Sequence, residues 1–168
     1  MYLGSQLPTI SSLLFMDFIN NLPVLNFPTF KFKLKDEQQR TQIYDAFRNK
    51  FVILTPEEWV RQHVLHYLTE IQKISKNKIA VEYSLKLNGQ QKRADVLIFG
   101  KSMEPSVIIE CKSTDIKISQ AIFDQAARYN LVLKVPFLII TNGFEMHIAK
   151  VNFETQTTEL LKEFPSFL

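Results

Sequence analysis

The sequence predicts a mixed α/β fold in a single domain, and three patterns of apolar residues support this prediction. Apolar residues recur at helical spacing over residues 60–71, alternate with polar residues at strand spacing over residues 79–87, and return to helical spacing over residues 116–133. The predicted order is helix, three strands, helix, two strands, so one helix crosses over between a middle strand and the next. Helices would therefore flank a mixed β-sheet.

The length and composition are typical of a globular domain. A chain of 168 residues can bury roughly two-thirds of the surface that it exposes when unfolded, and 46% of its residues are apolar. The net charge of +3 permits contact with a phosphate backbone, but a solvated surface explains it equally well. Cys111 is the single cysteine, so no internal disulfide can form, and we expect a reducing location such as the cytoplasm.

Residues 7–30 are fairly apolar, but neither a signal peptide nor a membrane span is expected from them. No Lys or Arg precedes Lys31, and an aspartate and two prolines interrupt the apolar run. We expect residues 1–26 to be a poorly structured N-terminal extension and residues 27–168 to form the single domain.

The pattern of apolar residues is weaker in the segment before the first predicted helix than in the rest of the domain. Residues 27–34 alternate loosely, which suits a half-buried strand, and residues 36–40 suit a polar turn. Residues 43–47 suit a short helix or turn that leads into the apolar residues 51–54.

A clear helix start follows at Thr55-Pro56-Glu57-Glu58. Thr55 can cap the helix, Pro56 suits the first helical position, and Glu58 completes a Thr-x-x-Glu capping box. Both glutamates suit the positive end of the helix dipole. The apolar stripe behind them continues to about residue 73.

The second half of the chain is predicted to contain five strands and one long helix. The strands are expected at residues 79–87, 94–99, 107–112, 137–140 and 146–151, with the helix at residues 116–133. Asn88-Gly89 and Asn142-Gly143 are strong turn signals, so the strands on either side of each should form hairpins.

Two acids and a lysine in this half are the chemically informative residues. Asp95 lies near the start of one predicted strand, and Glu110-Cys111-Lys112 ends the next. Residues two apart share a face of a strand, so Glu110 and Lys112 should project together while Cys111 points to the other side. If the two strands pair as a hairpin, Asp95 can lie beside Glu110, and two carboxylates and an ammonium group would converge.

Such a cluster suits phosphodiester hydrolysis. Carboxylate oxygens hold Mg²⁺ (or Mn²⁺) while the ion keeps water and room for a substrate phosphate. The metal favours a bound hydroxide as the nucleophile, and a lysine beside it can orient the water and stabilise charge in the transition state. The backbone carbonyl of Cys111 could add a further oxygen ligand.

The pattern resembles the PD-(D/E)XK nuclease superfamily. Asp95 matches its first acid and Glu110-Cys111-Lys112 its (D/E)xK element, although Ala94 stands where the motif has proline. The resemblance implies a restriction-endonuclease-like fold, in which helices flank a mixed β-sheet.

Two further segments narrow the resemblance. Gln125 and Tyr129 have the Gln-x-x-x-Tyr spacing of the branch that contains RecB-like nucleases and type I restriction motor subunits. Residues 55–62 resemble the first-helix segment of the N-terminal domain of those restriction subunits. In all, the resemblance covers about residues 27–151.

The resemblance implies a Mg²⁺-dependent DNA endonuclease whose metal is held by Asp95, Glu110 and a glutamate of the first helix. We prefer Glu57 over Glu58 for this glutamate, because Glu57 lies at helical spacing from the apolar stripe. Lys112 would assist the attacking water.

The implied supporting residues and partners follow from the same branch. Gln125 and Tyr129 share a helix face and would hydrogen-bond a catalytic side chain or the scissile strand. The chain contains no Gly-x-x-x-x-Gly-Lys-[Ser/Thr] phosphate loop, so we expect it to act on DNA alone, as a homodimer, or with a separate motor or specificity subunit. No recognition helix indicates a DNA sequence preference.

Several of these signals also have a structural interpretation. Lys92 and Arg93 form either a phosphate-binding rim or a solvated face. His63 and His66 are expected to be structural, since no cysteine or third histidine accompanies them as a zinc ligand, and Cys111 is expected to pack as a small apolar residue. The whole domain could instead be a catalytically silent module that binds nucleic acid or protein on the same fold.

Overall fold

Three α-helices and nine β-strands form within residues 10–87 and 89–165, which are the residues that the computed structural model describes. The helices are α1 (Ile10–Asn20), α2 (Pro56–His66) and α3 (Gln120–Leu133). The strands are β1 (Leu34–Glu37), β2 (Arg40–Asp45), β3 (Lys50–Ile53), β4 (Ile79–Leu87), β5 (Gln90–Phe99), β6 (Pro105–Cys111), β7 (Phe137–Thr141), β8 (Met146–Asn152) and β9 (Thr157–Leu161).

The predicted mixed sheet with one crossover helix is confirmed. The large sheet has the order β4-β5-β6-β7-β8-β9, and its neighbours are antiparallel except for β6 and β7. Those two strands are parallel because α3 carries the chain back across the sheet between them. A ninth strand, β9, was outside the prediction; most of its residues are exposed at the edge of the sheet.

Apolar residues fill both faces of the large sheet. On one face, residues of α2 pack against alternate residues of β5 and β6, among them Val60, Val64, Val96 and Ile109. On the other face, Ala126 of α3 packs in a second cluster with Leu97, Ile108 and Ile140. Because β6 is covered on both faces, nearly all of its residues are buried, as expected for a central strand.

Helix α2 begins where the capping pattern predicts. The Thr55 hydroxyl accepts a hydrogen bond from the Glu58 N–H at 3.1 Å, and Pro56 occupies the first turn. Beyond His66 the chain continues through a π-helical turn at Tyr67–Ile71, so the helical stripe ends close to the predicted position.

A small antiparallel sheet of β1, β2 and β3 precedes α2, and here the sequence prediction is wrong in two places. Residues 43–47 do not form a short helix; β2 ends at Asp45 and leads through a turn to β3. The strand predicted at residues 27–34 starts only at Leu34. The reason is that rings from this segment, such as Phe27 and Phe32, pack on His63 of α2 instead of entering a sheet.

The sequence also predicts a poorly structured extension over residues 1–26, but the structure places helix α1 within it. Leu25 is buried in the core, and the Trp59 indole N–H donates to the Pro23 carbonyl at 3.0 Å, so this segment is attached to α2. Residues 1–9 lie outside the described part of the chain. None of the described helices is long and apolar enough to cross a membrane.

The turn at Asn142-Gly143 between β7 and β8 joins the N-terminal segment to the large sheet. Gly143 has φ +89° and its carbonyl accepts the Asn26 N–H at 2.8 Å. A methyl group at Gly143 would lie 2.9 Å from the Leu25 side chain. Both the backbone conformation and the close approach therefore require glycine here.

We expect Gly143→Ala to lower the free energy of unfolding by about 1–2 kcal/mol, measured by urea denaturation. Gly89→Ala is the matched control, since Gly89 also has a positive φ of +78° but open space around it. An equal loss in the two variants would show that contact with Leu25 contributes nothing.

Candidate active site

Asp95, Glu110 and Lys112 lie together where the pairing of β5 with β6 ends. The last paired residues at this end are Val96 and Ile109, and Asp95 and Glu110 are the next residue on each strand. The Asp95 carboxylate takes the place of a backbone partner, because its Oδ2 accepts the Cys111 N–H at 2.8 Å. Lys112 Nζ lies 3.8 Å from Glu110 Oε2. The structure therefore brings the two predicted acids and the lysine into one cluster.

An irregularity in the neighbouring hairpin lies beside Asp95. The pairing of β4 with β5 passes from Val81–Val96 to Tyr83–Ala94 without the step between them. Glu82, opposite Asp95, has φ +54°, a left-handed conformation that a non-glycine residue rarely adopts. The sheet is therefore locally distorted beside the acid that the motif singles out.

Arg61 of α2 is the central residue of the cluster, and the sequence analysis missed it. Its Nη2 lies 2.7 Å from Asp95 Oδ1 and 2.9 Å from Glu57 Oε1, and its Nη1 lies 2.6 Å from Glu58 Oε2. Burial alone would lower the pKa of the Arg61 guanidinium, but Asp95 and Glu58 outweigh this and raise it above its usual value. The spacing of Glu57 and Arg61, four residues apart on a helix, was the available signal.

The two glutamates at the start of α2 have different surroundings. The Glu58 side chain is only 6% exposed, whereas that of Glu57 is 45% exposed. Glu57, which the helical spacing assigned to the inward stripe, is therefore the more exposed of the two. Glu58 points towards the small sheet, where its Oε1 accepts hydrogen bonds from Arg48 and Gln62. Glu57 is close enough to Glu110 to oppose its ionisation.

A second layer of polar residues surrounds Glu58. Asp45, at the end of β2, is fully buried. Its carboxylate accepts hydrogen bonds from the Arg48 guanidinium at 2.6 Å and from the Gln62 amide at 2.9 Å. Burial by itself would raise the pKa of Asp45, but hydrogen bonds from the backbone and side chain of Arg48 lower it below its ordinary value. Arg48 also contacts Glu82 at 3.2 Å. These buried charges are thus paired with one another.

Glu110 is the least satisfied carboxyl group of the site. Its Oε1 is buried and has no hydrogen-bond partner among the described residues. Burial, and then the charge of Asp95, raise the pKa of Glu110 to about 8, although Lys112 works in the opposite direction. Cys111 is fully buried, as expected for a small apolar residue, and burial raises the pKa of its thiol, so the thiol is protonated at neutral pH.

The acids do not converge on a single point. In the described part of the chain, no three His, Cys, Asp or Glu side chains lie close enough together to hold a metal ion by themselves. Arg61 Nη2 contacts both Glu57 and Asp95. Glu57, the glutamate preferred as a metal ligand, is therefore hydrogen-bonded to a guanidinium.

Comparison with known proteins gives one family. The family model described as "Type I restriction enzyme R protein N terminus" matches residues 56–165. The chain belongs to this family. The match includes α2 and the whole large sheet, whereas Asp45 and Arg48 of the small-sheet region precede it.

Among solved structures, the chain is similar to a fragment assigned to the HsdR subunit of a type I restriction enzyme from Vibrio vulnificus YJ016. The sequences are 27% identical, the TM-score is 0.49, and the alignment covers 67% of this chain and 24% of that chain. The chain therefore spans about a quarter of that relative. A search of curated proteins found no match.

The remaining predicted residues of this R protein N-terminal domain lie on two elements, α3 and β5. Gln125 is exposed on α3, while the side chain of Tyr129 lies outside the described part of the structure. Lys92 and Arg93 lie on β5, where Arg93 contacts Glu82 at 3.1 Å.

The two histidines of α2 contact aromatic rings or a neighbouring acid, as expected for structural residues. His63 packs between the rings of Phe32 and Trp59, and its Nδ1 lies 2.9 Å from the Trp59 carbonyl. Burial lowers the pKa of His63, so the ring is neutral at physiological pH. His66 contacts Glu70 one turn later.

Proposed function

We propose that this domain cleaves DNA in a reaction that depends on Mg²⁺ or Mn²⁺, as the nuclease part of a type I restriction R protein. The observation that carries the proposal is the buried carboxyl group of Glu110, whose Oε1 has no described partner and which lies in one cluster with Asp95 and Lys112. A buried carboxylate without a partner is costly unless a cation or a proton compensates it. Membership of the family supports the same function.

The donor set fits a hard divalent cation. Glu110 Oε1 has no hydrogen-bond partner among the described residues and could bind one, and each Asp95 oxygen accepts one hydrogen bond in the described part of the chain, which leaves a lone pair on each. The Cys111 carbonyl is the third candidate ligand. Mg²⁺ commonly uses only one or two carboxylates and keeps several waters, so three converging acids are not needed. When bound, the ion would supply Lewis-acid activation of a phosphate and of water.

The side chains of this chain would then divide the remaining work. Lys112, partly exposed beside Glu110, would donate to the attacking water or to the developing negative charge on the phosphate. Gln125 and Tyr129 on α3 would hydrogen-bond the site or the scissile strand. Lys92 and Arg93 would contact the phosphate backbone on either side.

The proposed partners are DNA and other subunits of a restriction complex. Because the chain contains no Gly-x-x-x-x-Gly-Lys-[Ser/Thr] phosphate loop, we propose that any ATP-driven motor is a separate segment or subunit. Cutting of both strands would need two such sites, which a homodimer could provide.

A catalytically silent binding module is the alternative, and one observation favours it. Arg61 Nη2 contacts both Asp95 and Glu57, so a permanent cation already compensates two of the acids. Such a domain would bind DNA or a protein partner without requiring a metal.

Cleavage of supercoiled plasmid distinguishes the two functions. We expect nicking or linearisation with Mg²⁺ or Mn²⁺ and none with EDTA, measured on agarose gels beside a filter-binding assay for the same DNA. Binding that persists in EDTA while no metal supports cleavage would favour the silent module. Cleavage that is unaffected by EDTA would contradict the metal-dependent mechanism.

A further inference from the structure

A continuous series of buried ion pairs connects the small sheet to the candidate active site. The series, which we call the ion-pair relay, runs through Asp45, Arg48, Glu58, Arg61 and Asp95. Its contacts measure 2.6 Å from Arg48 Nε to Asp45, 2.6 Å from Arg61 Nη1 to Glu58, and 2.7 Å from Arg61 Nη2 to Asp95; Arg48 also contacts Glu58 directly. No side chain of the relay is more than 14% exposed.

We propose that Arg61 is a positioning residue that orients Asp95 for a divalent cation, and that Arg48 of the small-sheet region fixes Arg61 through Glu58. The affinity of the site for the cation would therefore depend on residues that precede the family match and contact no candidate ligand. This inference rests on the proposed metal-dependent function.

Both oxygens of the Asp95 carboxylate have hydrogen-bond donors. Its Oδ1 accepts from Arg61 and its Oδ2 accepts from the Cys111 N–H, so both oxygens have a fixed direction. A guanidinium is planar and rigid, and it donates to several acceptors at fixed angles. Arg61 thus orders the Asp95 carboxylate before any cation binds, which removes part of the entropy cost of binding.

Three acids share the Arg61 guanidinium. Glu57, Glu58 and Asp95 all contact its guanidinium. Glu58 is buried and would compete for Arg61 if it had no other cation. Arg48 supplies that cation, and Asp45 in turn holds Arg48 through the side-chain contact and through the backbone N–H at 2.8 Å. Arg61 can therefore keep its Nη2 directed at Asp95 and Glu57.

Charge and orientation act in opposite directions at Arg61. As a cation beside the acids, Arg61 would repel a divalent ion, whereas by ordering the Asp95 carboxylate it would favour binding. Replacing Arg by Lys retains the charge but removes the planar set of donors. An Arg→Lys substitution therefore tests orientation alone. The same reasoning applies to Arg48, which uses separate nitrogens for Asp45, Glu58 and Glu82.

The test is Mn²⁺ binding by the full chain, measured by electron paramagnetic resonance of the free ion. We expect Arg61→Lys and Arg48→Lys each to weaken Mn²⁺ binding by about tenfold, the lower end of the loss found when residues behind metal ligands are changed. Arg40→Lys is the matched control, because Arg40 lies on the same small sheet and is exposed. Circular dichroism establishes that each variant is folded at the temperature of the measurement, and two relay positions are tested in case one variant does not fold.

The outcomes separate the inference from the function on which it rests. A merely structural relay would lower the melting temperature in EDTA and leave the dissociation constant for Mn²⁺ unchanged, which would overturn the positioning role. Equal weakening in Arg40→Lys would overturn it as well. If the unaltered protein did not bind Mn²⁺, the metal site itself would be contradicted, and the positioning role with it.

Discussion

Lys112→Ala is expected to reduce metal-dependent plasmid cleavage by at least about a hundredfold, the loss typical of removing one group that stabilises transition-state charge. The Lys112 ammonium lies beside Glu110 at 3.8 Å, too far for a strong hydrogen bond, and is therefore available to a substrate phosphate or a water. The rate is measured as the disappearance of supercoiled DNA under saturating Mg²⁺.

The same substitution should leave the fold and the metal site intact. The Lys112 side chain is 22% exposed, and its backbone N–H keeps its hydrogen bond to the Thr141 carbonyl at 2.8 Å. We therefore expect the melting temperature and Mn²⁺ affinity to change little. Lys101→Ala, in the exposed turn between β5 and β6, is the control for a general loss of positive charge. Equal cleavage rates in the two variants would show that Lys112 has no catalytic role.

The sequence was most informative where the determinants of structure are local. The cap at Thr55 depends on residues within one helical turn, and the joint projection of Glu110 and Lys112 depends only on strand alternation. The parallel pairing of β6 and β7 also follows from a helix between two apolar runs. These features could be predicted because short-range geometry decides them.

The polar turn at residues 36–40 was predicted, but the hairpin around it was not, because the β1–β2 turn lacks the residues that usually mark a hairpin. Gln38 and Gln39 form the β1–β2 turn with φ of +52° and +60°, conformations for which glycine or asparagine is the expected signal. Without that signal, residues 43–47 could be read as a helix. Residues 40–45 form strand β2 because they pair with β3 and because this arrangement buries Ile43.

The buried charges behind the site depend on contacts between residues distant in sequence. Arg61 and Asp95 are 34 residues apart, and nothing in their local patterns indicates that they meet. Asp45 belongs to a segment whose fold was predicted incorrectly, so its contact with Gln62 could not be predicted. The acids and the lysine were therefore predictable from the sequence, but the residues that orient them were not.

The second large effect is expected in the stability of Glu110→Gln. In the metal-free folded state the pKa of Glu110 is raised from 4.5 to about 8, chiefly by burial and then by Asp95. Between these pH values the folded protein retains a proton that the unfolded chain has lost. The free energy of unfolding therefore falls as the pH rises through this window, and the full penalty is present above about pH 8.

Glutamine cannot ionise, so the variant should escape this penalty. At pH 9 in EDTA we expect Glu110→Gln to be more stable than the unaltered protein by on the order of 2–4 kcal/mol in urea denaturation. Well below pH 4.5 the group is protonated in both states, and the two stabilities should converge, which provides an internal control. Equal stability at both pH values would contradict the raised pKa.

Addition of Mn²⁺ should reverse the order of stability at alkaline pH. A cation that binds only the folded protein stabilises it in proportion to the logarithm of its concentration over its dissociation constant. The unaltered protein should gain this stabilisation, because the ion compensates the buried Glu110 carboxylate, and Glu110→Gln should gain little. A buried acid that destabilises the fold until a cation arrives is expected of a binding site and not of a structural ion pair. If Mn²⁺ stabilised both proteins equally, Glu110 could not be a ligand.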